Sequence, residues 1–179
     1  LDINFDLLTA QNKMHKDIFE RAGFPKEKVI VNGSIQSDYW TNKRFWKNIT
    51  QIDKRINPSL IKILFFAFGE KNYLNYFYKD ETRTWSQLSK DINDVLFEIL
   101  EKYEGQIQII YKFSDKKHRD KSEDFEKFKN RCKKHIENNH LIILGGSTLS
   151  YDLMRHSNII VGFQTSALIE AMNTDKTIL

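Results

Sequence analysis

The stretch "VGFQTSALIEAM", Val161 to Met172, sets two hydroxyls, Thr165 and Ser166, where an apolar β-branched run gives way to helical spacing. A carboxylate, Glu170, follows four residues after Ser166. The start of a helix presents unpaired backbone N–H groups and the positive end of the peptide dipoles, which suits a phosphate. The Thr165 and Ser166 hydroxyls add donors there, and Gly162 removes a side chain that would block approach to the backbone. Glu170 falls on the same helix face one turn further in. From there it is better placed to accept hydrogen bonds from sugar hydroxyls than to share a phosphate. The simpler alternative makes Thr165 or Ser166 a helix cap and leaves Glu170 facing solvent or complementing the dipole.

Other strand ends offer weaker chemistry. Lys112 closes the run "QIQIIYKF" and is followed by Ser114; it reads either as a cation for a phosphate or as a solvated lysine. Gly145 and Gly146 follow "HLIIL" and either let backbone amides approach a ligand or simply turn the chain, and Gly69 after "ILFFAF" carries the same two readings. The full G-x-G-x-x-G pattern, a Walker loop and a G-x-S-x-G elbow are all missing, which disfavours dinucleotide-binding, P-loop and α/β-hydrolase assignments. The histidines, at 15, 118, 135, 140 and 156, show no ligand spacing, so no metal site is expected from them. The single cysteine, Cys132, excludes an internal disulfide and a Cys-based zinc cluster, fits a reducing compartment, and reads as core packing.

The elements that must position these residues alternate. Short apolar runs at 61–68, 106–113, 140–146 and 158–163 read as strands, and "KTIL" opens a fifth. Amphipathic spacing predicts helices over 84–105, 121–138, 149–157 and 166–175. The run "LIKILFFAFGE" is apolar at nearly every position, as a strand covered on both faces should be. This order predicts an α/β fold with a parallel, doubly wound, Rossmann-like sheet, whose ligands collect at the carboxyl ends of the strands. Ahead of it, a helix ending at Gly23 and the short run "KVIVNGS" precede a polar, aromatic stretch from 36 to 57, read as loop with at most a short helix. The aromatic run "NYLNYFYKDETRTW" packs the sheet's flank, stacks on a sugar acceptor or lies at a membrane surface.

Composition bounds the rest. The chain has 179 residues, 40% of them hydrophobic, enough for one domain with an appended arm and a real core. Its net charge of +4 permits anionic ligands, but the basic residues are scattered among acids and nucleic acid is not an expected partner. No apolar run reaches a membrane span. The start at "LDINFD" and the end at "DKTIL" read as a piece of a larger protein.

The order of these motifs resembles the C-terminal, donor-binding half of GT-B-fold glycosyltransferases, particularly bacterial enzymes of surface-polysaccharide (capsule or lipopolysaccharide) assembly. "DLLTAQNKMHKDIFERAGFPKEKVIVNGSIQSDYW" is similar to their hinge passage, "IKILFFAFGE" to the first strand and glycine turn of the second domain, and "IQIIYKFSD" to the strand often ending Lys-Pro-His-Pro. "LSYDLMRHSNIIVGFQTSALIEAM" resembles the signature ending D-x-(V/I)-(V/I)-x-x-x-S-x-x-x-x-E-A-(M/L). The resemblance implies a hinge over 1–35 leading from an N-terminal domain, and a nucleotide-sugar-binding domain over 36–179. It implies phosphate binding by Gly69, Lys112, Ser114, Gly145, Gly146, Thr165 and Ser166, and ribose binding by Glu170.

The partners implied are a nucleotide-sugar donor, a glycan or lipid-linked acceptor and the protein's own N-terminal domain, which would carry the general base. The setting implied is the cytoplasm, at the inner face of the membrane with peripheral contact. No cofactor and no catalytic metal are implied, and no Asp-x-Asp motif occurs. Two departures matter. The histidine and prolines of Lys-Pro-His-Pro are missing from "YKFSD". Gly162 stands where retaining families often carry a further glutamate, which favours an inverting course. Alternatives are a nucleotide-sugar 2-epimerase, a CMP-sugar or glycerophosphate transferase, and a non-catalytic nucleotide- or partner-binding module.

Overall fold

The computed structural model describes residues 6–33, 40, 42–68, 75–78, 81–113, 123–146, 148–163 and 165–179; of residues 45, 75–78 and 81–83 it describes the backbone. The chain divides into two compact units, Leu1–Trp46 and Lys47–Leu179. In the first, strands β1 (Leu8–Ala10) and β2 (Val29–Val31) pair in parallel around helix α1 (Lys13–Arg21). Asn12 caps α1 by accepting from the His15 N–H at 2.9 Å. The chain leaves the helix through Gly23, whose φ of +92° is the left-handed conformation glycine adopts without strain. Ala10 and Val29 are buried between these elements.

The second unit begins with helix α2 (Ile49–Ile52) and carries a five-stranded sheet of β3 (Ile61–Phe66), β6 (Ile107–Lys112), β7 (Leu141–Leu144), β8 (Ile159–Gly162) and β9 (Thr177–Ile178). The spatial order is β7-β6-β3-β8-β9 with every neighbouring pair parallel. The chain therefore winds outward from β3 to β7, returns to the other side of β3, and winds outward again. Connecting helices are α3 (Trp85–Lys102), α4 (Glu123–Arg131), α5 (Lys133–Glu137), α6 (Ser150–His156) and α7 (Ser166–Ala171). The architecture is the parallel, doubly wound Rossmann-like α/β sheet that the alternation predicts.

Strand side chains alternate between two faces, and the faces differ. Ile63, Phe65, Ile107, Ile109, Tyr111 and Leu141 point one way and form a core with Leu96 and Leu100 of α3 and Phe125 and Phe128 of α4. A capping box starts α3: the Gln87 N–H donates to the Thr84 hydroxyl while the Thr84 N–H donates to the Gln87 side chain. The opposite face carries Lys62, Leu64, Phe66, Gln108, Ile110, Lys112, Ile160 and Gly162, with α6 packed on β3 and α7 on β8.

Three local expectations change. The single helix read over 121–138 is two, divided at Cys132, whose side chain is fully buried in the core. The stretch from 36 to 57 holds a 3-10 turn at Lys43–Phe45 besides α2. Within "NYLNYFYKDETRTW" lies an antiparallel pair, β4 (Asn75–Tyr78) and β5 (Glu81–Thr84), which the sequence reading passes over. Apart from Thr84, the side chains of that pair lie outside the described residues. Trp85, next to it, packs edge-on against Phe68 and Phe163.

Candidate functional site

A winding order that reverses between β3 and β8 opens a crevice at their carboxyl ends, because the connections on the two sides diverge there. At that place lies a cavity of about 210 Å³, lined by Phe66, Ala67, Lys112, Ser150, Thr165, Ser166, Ala167 and Glu170. The β3 end supplies Phe66 and Ala67, the β6 end Lys112, the start of α6 Ser150, and the start of α7 the rest.

Lys112 is 4% exposed, and burial pushes its ammonium below the usual lysine range. Its Nζ donates to the Phe113 carbonyl at 2.8 Å and the Gly145 carbonyl at 2.9 Å. An ammonium has three N–H donors, so one remains at the cavity. Register explains the placement: Lys112 pairs with Phe66 and Leu144, each the last residue of its strand, on the face that α6 and α7 cover.

Thr165 occupies the N-cap of α7, its hydroxyl oxygen accepting from the Ala167 N–H at 3.3 Å. The capping alternative is therefore realised, yet it uses only the acceptor side of the hydroxyl, and the O–H remains a donor for the cavity. Ser166 begins the helix, and Glu170 lies one turn on along the same wall. Among the described residues the Glu170 carboxylate has no hydrogen bond or ion pair.

Gly162 plays a different part from the one its position first implies. A Cβ there would meet the Thr165 methyl carbon at 2.9 Å and Leu168 at 3.3 Å. Its missing side chain thus makes room for Thr165 to cap the helix. Of the other glycines, Gly145 reaches the site through its carbonyl on Lys112, whereas Gly146 is exposed and does not line the cavity. Gly69 and Ser114 lie outside the described residues.

Sequence reading passed over Ser150 as a cavity residue. In the structure Leu149 holds the cap position of α6 and Ser150 is the first helical residue. The signal was available: Ser150 opens the helix that precedes β8, on the crossover that creates the crevice. A larger hollow of about 330 Å³ lies on the opposite face, lined mainly by Ile63, Ile92, Val95, Leu96, Ile159 and Val161. Its apolar walls offer little to a phosphate.

No family model matches the chain, and no curated protein matches it in sequence. Solved structures match in fold. A variant of the wall teichoic acid polymerase TagF is 13% identical with a TM-score of 0.56, over 97% of this chain and 39% of that one. The UDP-GlcNAc 2-epimerase of Neisseria meningitidis bound to UDP-GlcNAc is 16% identical, TM-score 0.51, over 97% and 44%. A glycosyltransferase from Rickettsia africae is 15% identical, TM-score 0.50, over 97% and 43%. The chain spans about two fifths of the length of these proteins. At such identities the likeness is one of fold: a Rossmann-like α/β arrangement shared with part of several larger enzymes.

Proposed function

We propose that this chain is the donor-binding half of a GT-B glycosyltransferase that moves a sugar from a nucleotide carrier to a surface-glycan acceptor. The observation that carries this reading is the cavity at the reversal of strand order, with Lys112, Thr165, Ser166 and Glu170 on its walls. Lys112, with its remaining donor, and the hydroxyls of Thr165 and Ser166 face the diphosphate. Glu170 accepts from the ribose hydroxyls. The cavity is smaller than the roughly 300–1,000 Å³ of a usual small-molecule pocket; the described residues enclose the phosphates and ribose, not a whole nucleotide-sugar.

In this reading the acceptor hydroxyl attacks the anomeric carbon, the bond to the phosphate breaks, and the ammonium stabilises the leaving diphosphate as its charge develops. The general base and acceptor pocket belong to an N-terminal domain, to which residues 1–35 connect as hinge. An inverting course is favoured because Gly162 offers no carboxylate, and a side chain there would crowd the Thr165 methyl carbon. The reaction is metal-independent, the cytoplasmic face of a membrane is its setting, and capsule or lipopolysaccharide assembly its context. Among the described residues no helix is long and apolar enough to cross a membrane.

The test is titration of UDP, GDP, CDP and CMP into the protein. One of them should bind, and Glu170→Ala should weaken that binding by about tenfold, as the loss of a hydrogen bond to a charged group implies, with the melting temperature unchanged. Binding of none of the four would end the reading; an unaltered affinity in Glu170→Ala would end the ribose role. A second reading, a nucleotide-sugar 2-epimerase, draws on the fold shared with the Neisseria enzyme. Product analysis separates the two, since an epimerase turns over without an acceptor.

A further inference from the structure

At the opposite, amino-terminal edge of the sheet three side chains, from two turns and a helix, converge. Glu104 follows the end of α3, His135 lies on α5, and His140 immediately precedes β7. One ligand atom from each lies within 4.8 Å of the others. The histidines are five residues apart and the glutamate thirty-one before the first, so no short sequence motif announces the group. Folding assembles it: the His140 carbonyl accepts from the Ile109 N–H at 2.8 Å, pinning the residue before β7 to β6.

The two imidazoles are unusual in what they leave unused. His135 is 1% exposed, and its Nε2 lies 2.6 Å from the Glu101 carboxylate. In the neutral ring whose Nε2–H donates to Glu101, Nδ1 carries the lone pair. That Nδ1 is buried and has no hydrogen-bond partner, and neither has the buried Nδ1 of His140. Buried ring nitrogens normally find a partner. A carboxylate on the far nitrogen is the arrangement that orients metal-binding histidines, fixing the tautomer and raising the basicity of the ligating nitrogen. The third ligand, Glu104, is paired with the Lys134 ammonium 2.8 Å away.

We propose that Glu104, His135 and His140 form a binding site for a divalent transition-metal ion of the zinc class, with Glu101 orienting His135 from behind. Two imidazole nitrogens and one carboxylate suit a borderline cation, and the fourth position is left for water. Tetrahedral bonds of roughly 2.0–2.1 Å place ligand atoms about 3.3 Å apart. The three groups therefore close inward on binding, with Glu104, on an exposed turn, moving most and giving up Lys134. The site joins the turn after α3 to the turn after α5. It lies a strand's length, roughly 20 Å, from the Lys112 cavity, so its role is to hold the fold and not to touch a nucleotide. It stands apart from the proposed glycosyl transfer, and it departs from the expectation drawn from histidine spacing.

The test uses untagged protein stripped with chelator and titrated with ZnCl₂, reading heat and melting temperature. One Zn²⁺ per chain should bind and raise the melting temperature. His140→Ala and Glu104→Gln should each weaken binding at least tenfold, and Glu101→Gln by about 10–100-fold. Lys134→Ala should tighten it, because the Glu104 carboxylate is no longer shared. His15→Ala, in the other unit, should bind as the parent does. His135→Ala empties a buried position, so the partly exposed His140 carries the decision. No binding, or undiminished binding by His140→Ala, overturns the proposal and leaves a buried histidine–glutamate pair.

Discussion

Lys62 and Lys112 stand on the same face of one sheet, at opposite ends of neighbouring strands, and are 6% and 4% exposed. Burial lowers the pKa of both. Around Lys62 the carbonyls of Asn57, Pro58 and Leu60 all accept from Nζ, using its three donors within the turn before β3. Around Lys112 two carbonyls accept, and the remaining donor meets a cavity. Charge and burial are thus alike; hydrogen-bond saturation separates a cation that closes a turn from one that can receive a ligand. The same contrast holds between the faces, since the other side of the sheet is aromatic and aliphatic, with Tyr111 packed among Phe65, Phe113, Phe125 and Phe128.

The strongest way to break the comparison is to remove each ammonium. Lys112→Met should cost about 10–100-fold in nucleotide affinity, the worth of a hydrogen bond to a charged group. Lys62→Met should leave affinity within about twofold while lowering the melting temperature, because its carbonyls lose their donor. Equal losses of affinity in the two variants would collapse the distinction. Next in size, Gly162→Ala should destabilise by about 1–3 kcal/mol through overpacking against Thr165. Adding Thr165→Ser, which removes the methyl and keeps the cap, should recover most of that in denaturant melts.

Alkaline titration sharpens the contrast between the faces. Because folding depresses both lysine pKa values, the unfolded chain holds more protons just below pH 10.5. Their contribution to stability rises with pH through that window. Cys132, buried on the apolar face, has its thiol pushed up from 9.0 to about 12, so the unfolded thiol ionises first. Its contribution falls as pH climbs from 9 towards 12, by about 1.4 kcal/mol per pH unit once the unfolded thiol is ionised. Cys132→Ala should remove the fall, and the double Lys→Met variant the rise, in melts taken at stepped pH. The smallest effect belongs to Tyr111→Phe, which removes the buried hydroxyl bond to Asn93 at 3.0 Å and should cost about 1 kcal/mol.

Much of this was readable in the chain because strands buried on both faces are apolar without interruption, and helices between them repeat every three to four residues. The run from Ile61 to Phe66 and the helix from Trp85 to Lys102 appear nearly where their patterns place them. The antiparallel pair at 75–84 was missed because "NYFY" and "ETRT" lack a glycine turn signal between them. The break at Cys132 was missed because the apolar spacing of Phe128, Cys132 and Ile136 runs straight through it. At the site, Thr165, Ser166, Glu170 and Lys112 could be named from strand ends alone. Their convergence depends on strand order, a property of tertiary pairing that local pattern does not encode. The convergence of Glu104, His135 and His140 depends on it still more.

The slot beside Gly162 has an evolutionary consequence. The first carbon of an acidic side chain at that position would meet the Thr165 methyl carbon at 2.9 Å, so Thr165 must shift to admit it. The less costly route to one first trades Thr165 for a residue that still caps the helix, such as serine, and then changes the glycine. The two positions are thus epistatic, with one order of events favoured. Any descendant of this chain carrying an acid at 162 should also have lost the methyl group at 165.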